Sequence, residues 1–217
     1  MPKQPDVTLF ITIGCSHCPA VLENLSRLVK EGSIGRLEVT NLSCRPEAAG
    51  AGIRALPWCR IGPFELSGAQ SYTDLARWTA AATAGTGMSD YYSLLLESGE
   101  LDKAVALIRK SPETLDTLIP LLATLDTPMA VRIGIGAVIE TLAEEMPIAG
   151  IVDALLELAG SEMAPIRADA CHYLGLTGDQ RAATLLRTLL EDDDPEVREI
   201  ASESLETLAA SETPPPL

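Results

Sequence analysis

Val7-Thr8-Leu9-Phe10-Ile11-Thr12-Ile13-Gly14-Cys15-Ser16-His17-Cys18-Pro19 carries two signals in succession. Residues 7–13 are β-branched and apolar and read as a strand. Beyond them Val21, Leu22, Leu25, Leu28 and Val29 recur at helical spacing, which predicts a helix over residues 18–30. Pro19 falls in its first turn, where a missing N–H removes no hydrogen bond. Two cysteines separated by two residues at a strand-to-helix junction are a redox signature. The free amides and positive dipole end of a helix start favour an anion there, here a thiolate. Cys15 is expected at the mouth of the turn, and Cys18 one turn in, shielded yet within reach. Thiol–disulfide exchange needs such a pair: one sulfur attacks and the other resolves the mixed disulfide.

The residues between the cysteines matter as well. An ordinary thiol, with a pKa of about 8.5, is mostly protonated at neutral pH, and a neighbouring imidazolium favours its thiolate. His17 is therefore expected to stabilise reduced Cys15 and make the disulfide more oxidising. Cys-x-x-Cys is also half of a zinc knuckle, but a second copy of that spacing is missing, so no metal is assigned.

Working outward, the 217 residues suffice for one large domain or two small ones. Scarce aromatics beside abundant Ala and Leu predict a helix-rich interior. The net charge of −15 is uneven: residues 1–84 hold eight basic and seven acidic side chains, and the remainder eight and twenty-four. The second part repels nucleic acid and anionic membrane surfaces, so neither is expected as a partner. Residues 1–6 are polar and the apolar run after them is too short for a signal peptide. No stretch has the apolar length of a membrane span. The expected location is cytoplasmic, where the five cysteines read as catalytic, sensing or inert rather than bridging.

After the first helix, Gly32 and Gly35 lead to a second strand over residues 36–42, parallel to the first. A short helix is expected over 46–54, then a hairpin of strands 58–61 and 64–66 about Gly62-Pro63, then a helix over 72–82. This order, β-α-β-α-β-β-α, with Cys15 and Cys18 after strand one, Leu56-Pro57 before the hairpin and Ser67-Gly68 before Thr73-Asp74-Leu75, resembles the thioredoxin fold in its smallest, glutaredoxin-like form. The resemblance covers residues 5–83. It implies that Pro57 is cis and faces the cysteine pair, and that Leu56 offers its backbone to an extended substrate. Trp58-Cys59 departs from the usual aliphatic pair, and the glutathione-holding lysines and threonines of glutaredoxins are missing. Cys44 and Cys59 are candidate secondary thiols. Their strands flank strand one, roughly 10 Å apart, and a bridge needs Cα atoms within about 7 Å. Two small hydrophobes are thus the favoured reading of that pair.

Thr-Ala-Gly-Thr-Gly at 83–87 reads as a short, flexible joint, and residues 84–89 as the linker. Beyond it amphipathic helices are expected over 90–97, 100–110, 112–125, 129–145, 147–160, 164–174, 179–190 and 195–210. A phrase recurs: Pro128-x-x-Val131-Arg132, Pro165-Ile166-Arg167 and Pro195-x-Val197-Arg198, with Ala170 matching Ala201 and Leu174 matching Leu205. This part resembles short HEAT repeats, which implies a helical solenoid over 90–211 that recruits protein partners. The apolar residue of each phrase is expected in the core and the arginine on the rim. Asp192-Asp193-Asp194 reads as a helix cap, Cys171 as core, and residues 212–217 as a disordered tail.

The expected function is that of an enzyme, a cytoplasmic thiol–disulfide oxidoreductase. Cys15 is its nucleophile, Cys18 the resolving thiol, His17 the tuner, and Leu56 with Pro57 the substrate clamp. Its substrate is a protein disulfide or dithiol, no cofactor is implied, and the acidic helical part docks a protein partner. The alternative is a non-enzymatic, redox-gated scaffold. A zinc module of Cys15, Cys18, Cys44 and Cys59 is a third reading.

Overall fold

The computed structural model describes residues 3–50 and 53–211. The chain divides into two compact units, Met1–Gly87 and Met88–Leu217.

In the first unit, β1 (Asp6–Ile11) leads to α1 (Cys18–Lys30) and β2 (Arg36–Asn41), followed by β3 (Trp58–Ile61), β4 (Phe64–Ser67) and α2 (Tyr72–Ala84). The four strands form one mixed sheet in the order β2-β1-β3-β4. β1 runs parallel to β2 and antiparallel to β3, with Phe10 opposite Trp58 and Ile11 opposite Asn41. Alternation divides the residues between the faces. Val7 and Leu9 of β1, Cys59 and Ile61 of β3, and Phe64 and Leu66 of β4 are buried, with Val21, Leu25 and Leu28 of α1 and Leu75 and Trp78 of α2. Phe10 and Trp58, on the other face, stack with ring centroids 5.2 Å apart. Arg27 and Lys30 complement the carboxyl end of the α1 dipole. Ser71 caps α2 by accepting from the Asp74 N–H at 3.1 Å, and left-handed Gly85 closes it.

Several expectations shift here: β4 runs one residue and α2 two residues further than expected. β1 ends at Ile11 rather than residue 13, and β2 at Asn41 rather than 42. The helix expected over 46–54 is a single 3-10 turn, Pro46–Ala48, with no buried residue. Its sequence after Pro46 offers only Glu, Ala and Gly up to residue 50, so no apolar face exists to dock a helix. Residues 51 and 52 of that stretch lie outside the described residues.

The second unit holds α3 (Met88–Glu97), α4 (Leu101–Lys110), α5 (Ile119–Leu122), α6 (Met129–Glu145), α7 (Val152–Leu158), α8 (Ala164–Leu176), α9 (Gln180–Leu189) and α10 (Pro195–Ser211). Between α2 and α3 only residues 85–87 lie outside helix, fewer than the 84–89 expected of a linker. The long helix expected over 112–125 is a 3-10 segment, Pro112–Leu118, running into α5. Pro120 cannot donate to the ladder, and Pro112 opens the segment. Likewise 147–160 opens as 3-10 turn Ala149–Ile151 before α7.

Val131, Ile166 and Val197 are fully or almost fully buried, in line with the repeated phrase. The arginines beside them correct the expectation of a rim position. Arg132 donates to the Leu122 and Thr124 carbonyls at 3.2 and 2.8 Å and pairs with Asp169. Arg167 donates to the Ser161 carbonyl at 2.8 Å and grips Asp192 with two bonds of 2.8 and 2.7 Å. Arg198 donates to the Asp192 and Asp193 carbonyls at 2.6 and 3.1 Å. Each arginine thus satisfies one or two carbonyls in the segment just before its own helix, and two of the three also reach a carboxylate of the following repeat. A guanidinium, with five donors in a fixed fork, suits both tasks at once. Asp194 caps α10 by accepting from the Glu196 N–H at 2.9 Å. α8 and α10 meet closely at Gly175, where a Cβ would stand 2.8 Å from that of Ser204.

Candidate functional site: a dithiol at a helix start

β1 stops at Ile11, and the chain turns through Gly14, whose φ of +80° suits glycine. His17 is the N-cap of α1, its carbonyl accepting from the Val21 N–H at 3.3 Å, and Cys18 is the first helical residue. Cys15 and Cys18 are joined as a disulfide with Cα atoms 5.5 Å apart. The Cys18 N–H donates to Cys15 Sγ at 3.1 Å, so an amide that the helix cannot use internally points at that sulfur. Cys15 is partly exposed, whereas Cys18 is only 4% exposed and packs with Val21 and Leu25 in the core-facing row of α1. An attacking group from solvent therefore has a path to Cys15 and none of comparable width to Cys18. Ser16 and His17 are exposed between them, and Ile13 is 74% exposed just before the turn.

The loop is braced from β2. Ser43 Oγ lies 2.7 Å from Thr12 Oγ1 and accepts from the Ile13 N–H at 3.1 Å. Ser43 is itself held by Asn41, whose side-chain oxygen accepts the Ser43 N–H at 3.0 Å. These bracing residues were not among the sequence candidates. Asn-x-Ser after a strand is the pattern of an Asx turn, which was the available signal.

Leu56-Pro57 has a cis peptide bond; Pro57 is buried and its carbonyl accepts from the Gly68 N–H at 2.8 Å. Since Phe10 pairs with Trp58, the dipeptide before Trp58 lies at the end of the sheet from which the cysteine loop departs. The Cys44 turn leaves that same end, because Ile11 pairs with Asn41.

The remaining thiols are free and unalike. Cys44 is exposed, in the turn after β2 rather than at the strand's end, its N–H bonded to the Asn41 carbonyl at 3.0 Å. Cys59 is buried against the helices, and burial pushes its thiol up to about 12. Cys171 is buried in α8, with burial again raising its thiol, to about 11. Among the described residues no three His, Cys, Asp or Glu side chains gather as a metal site, so the four-thiolate zinc reading finds no cluster. His172 is exposed and meets Glu140 at 2.9 Å.

Residues 115–206 match the family of HEAT repeats, a match that lies wholly in the second unit and spans less than half of the chain. No curated protein matches the chain. Among the described residues, no helix is long and apolar enough to cross a membrane. The architecture is thus a small mixed α/β sheet carrying a helix-start disulfide, followed by a helical region that matches HEAT repeats over residues 115–206, a kind of array that typically presents extended surfaces to protein partners.

Proposed function

We propose that the chain is a thiol–disulfide oxidoreductase, its first unit a thioredoxin-like domain and its repeats the part that recruits a protein partner. The observation that carries this is the asymmetry of the pair: Cys15 is accessible and receives the Cys18 amide at 3.1 Å, while Cys18 is shielded one turn in. In the reducing direction the Cys15 thiolate attacks a substrate disulfide, forming a mixed disulfide and expelling one substrate thiolate. Cys18, deprotonated, then attacks Cys15 Sγ. The second substrate thiol leaves, and the Cys15–Cys18 disulfide holds the two electrons' worth of oxidation until an external dithiol reduces it. The amide and the helix dipole favour the Cys15 thiolate that makes the first attack. His17 supplies a cationic neighbour when protonated, and Leu56 with Pro57 supports an extended substrate at the same sheet end. The setting is cytoplasmic, and Cys44 and Cys59 are spectators.

Insulin reduction by an external dithiol tests the reading. Cys15→Ser abolishes turnover, and Cys18→Ser accumulates mixed disulfides on Cys15 that mass spectrometry identifies. Turnover that survives Cys15→Ser removes that sulfur from the mechanism.

A scaffold reading draws on the HEAT match over residues 115–206. There the disulfide gates binding without turnover. A midpoint potential outside about −300 to −100 mV, the span of known exchangers, favours that alternative.

A further inference from the structure

Three large apolar side chains stand in solvent along and just before α6: Met129 is 71% exposed, Ile133 66% and Leu125 48%. Met129 and Ile133 are one helical turn apart, so they share a face of α6. With Pro165 and Tyr173 they line an open groove of about 950 Å³. Gly136 continues the row. A Cβ there would meet the Tyr173 hydroxyl at 3.0 Å, so the missing side chain makes room for that hydroxyl between α6 and α8. Apolar side chains scattered singly on a surface need no explanation, but a contiguous row beside a groove marks a contact surface.

Charge decides the occupant. Asp126, Glu140 and Asp169 also line the groove, with Arg132 as its one basic lining residue. That guanidinium is already committed to the Leu122 and Thr124 carbonyls and to Asp169. Asp126 is exposed and makes no ion pair among the described residues, and Glu140, also exposed, meets the His172 imidazole at 2.9 Å through one of its two oxygens. Residues 85–217 carry twenty-four acidic and eight basic side chains, so a second copy would bring carboxylates against carboxylates. The chain's own residues 212–217 include Glu212 and no basic residue. From Met129 to Glu140 the helix rises about 17 Å, the length of roughly three turns of a partner helix.

We infer that this groove takes a cationic amphipathic helix of a partner protein, its apolar stripe on Met129 and Ile133 and its Lys or Arg residues against Asp126 and Glu140. The inference rests on the recruiting role given to the repeats above and names the chemistry of what they recruit. The binding mode is that of an apolar helix face in a groove, with anchors three and four residues apart.

The test uses the full chain and a fluorescein-labelled peptide of two Leu-Lys-Lys-Leu-Leu-Lys-Leu units, read by fluorescence anisotropy. Saturable binding is expected, weakened at least about tenfold by Ile133→Glu and by Met129→Glu, and weakened by added salt. Leu190→Glu, at another exposed leucine, leaves it unchanged. The same peptide with Glu for Lys does not bind. Three results overturn the inference: no binding, binding indifferent to both α6 variants, or a concentration-dependent dimer that Ile133→Glu dissociates and the peptide does not. Cys15→Ser retains peptide binding, and Ile133→Glu retains reduction of a small model disulfide. Failure of the groove and failure of the redox reading are therefore separate results.

Discussion

The two units place their decisive polar groups differently. In the first, Cys15, His17, Ser43 and Pro57 lie in the segments that flank one end of the sheet, and Ser43 in the β2 exit turn braces the cysteine loop through Thr12 and Ile13. In the second, Arg132, Arg167 and Arg198 lie in the first turn of their helices and bind the loops behind them. A group proposed to react must stay reachable, and Cys15 stands outside the regular structure; a lock between repeats must be shielded from water to hold, so it stands at the seam. Arg167 and Asp192 keep only 15% and 7% of their side-chain surface exposed.

The largest expected effect breaks the comparison on the chemical side. Cys15→Ser lowers insulin reduction by at least about a thousandfold, the scale of removing a nucleophile, whereas Cys171→Ala leaves it within about twofold. Next comes the seam. Arg167→Met strands Asp192 in a largely shielded site and destabilises the helical unit by about 3 kcal/mol, read as urea unfolding of that unit. The double variant Arg167→Met/Asp192→Leu recovers most of the loss, and neither changes the midpoint potential of the Cys15–Cys18 pair. If Arg167→Met shifts that potential, the two units do not act separately.

A smaller effect sits at Gly175. Gly175→Ala forces a methyl to 2.8 Å from the Ser204 Cβ and costs about 2 kcal/mol, and adding Ser204→Gly restores it. Smaller again is a pH effect. The Arg167 guanidinium holds the Asp192 carboxyl below its ordinary range, followed in importance by the opposing cost of burial. A carboxylate depressed on folding contributes stability above its unfolded value, near 3.9, and loses it as pH falls through the folded value. The unfolding temperature of the helical unit therefore drops on acidification from about pH 5 to about pH 3, and drops less in Asp192→Asn. The smallest change concerns labelling alone: iodoacetamide modifies exposed Cys44 first, and Cys59 and Cys171 only on unfolding, since burial raises both thiols.

What the sequence disclosed follows the same division. The 18–30 helix, the 58–61 strand and the position of the cysteine pair were legible because each is written in a window of a few residues, where periodicity and a Pro in the first turn suffice. The repeated Pro and apolar-Arg phrases likewise placed the starts of three helices within about a residue. The arginines' destinations were not legible. Asp169 is 37 residues from Arg132 and Asp192 is 25 from Arg167, distances at which no local pattern distinguishes a seam partner from a surface carboxylate. Asp192 read as part of a cap, which Asp194 alone fulfils for α10. The over-long helices failed for local reasons: Pro120 has no N–H to give to the ladder, and residues 47–50 offer only Glu, Ala and Gly, with no apolar face to dock a helix.

The arginine series also gives the repeats a direction. Arg132 and Arg167 each reach forward to a carboxylate in the next repeat, but Arg198 bonds only carbonyls behind it and has no forward partner among the described residues. Breaking one forward pair, by Arg132→Met or Arg167→Met, should then speed amide deuteration in the helices on either side of that seam and leave the other seam unchanged.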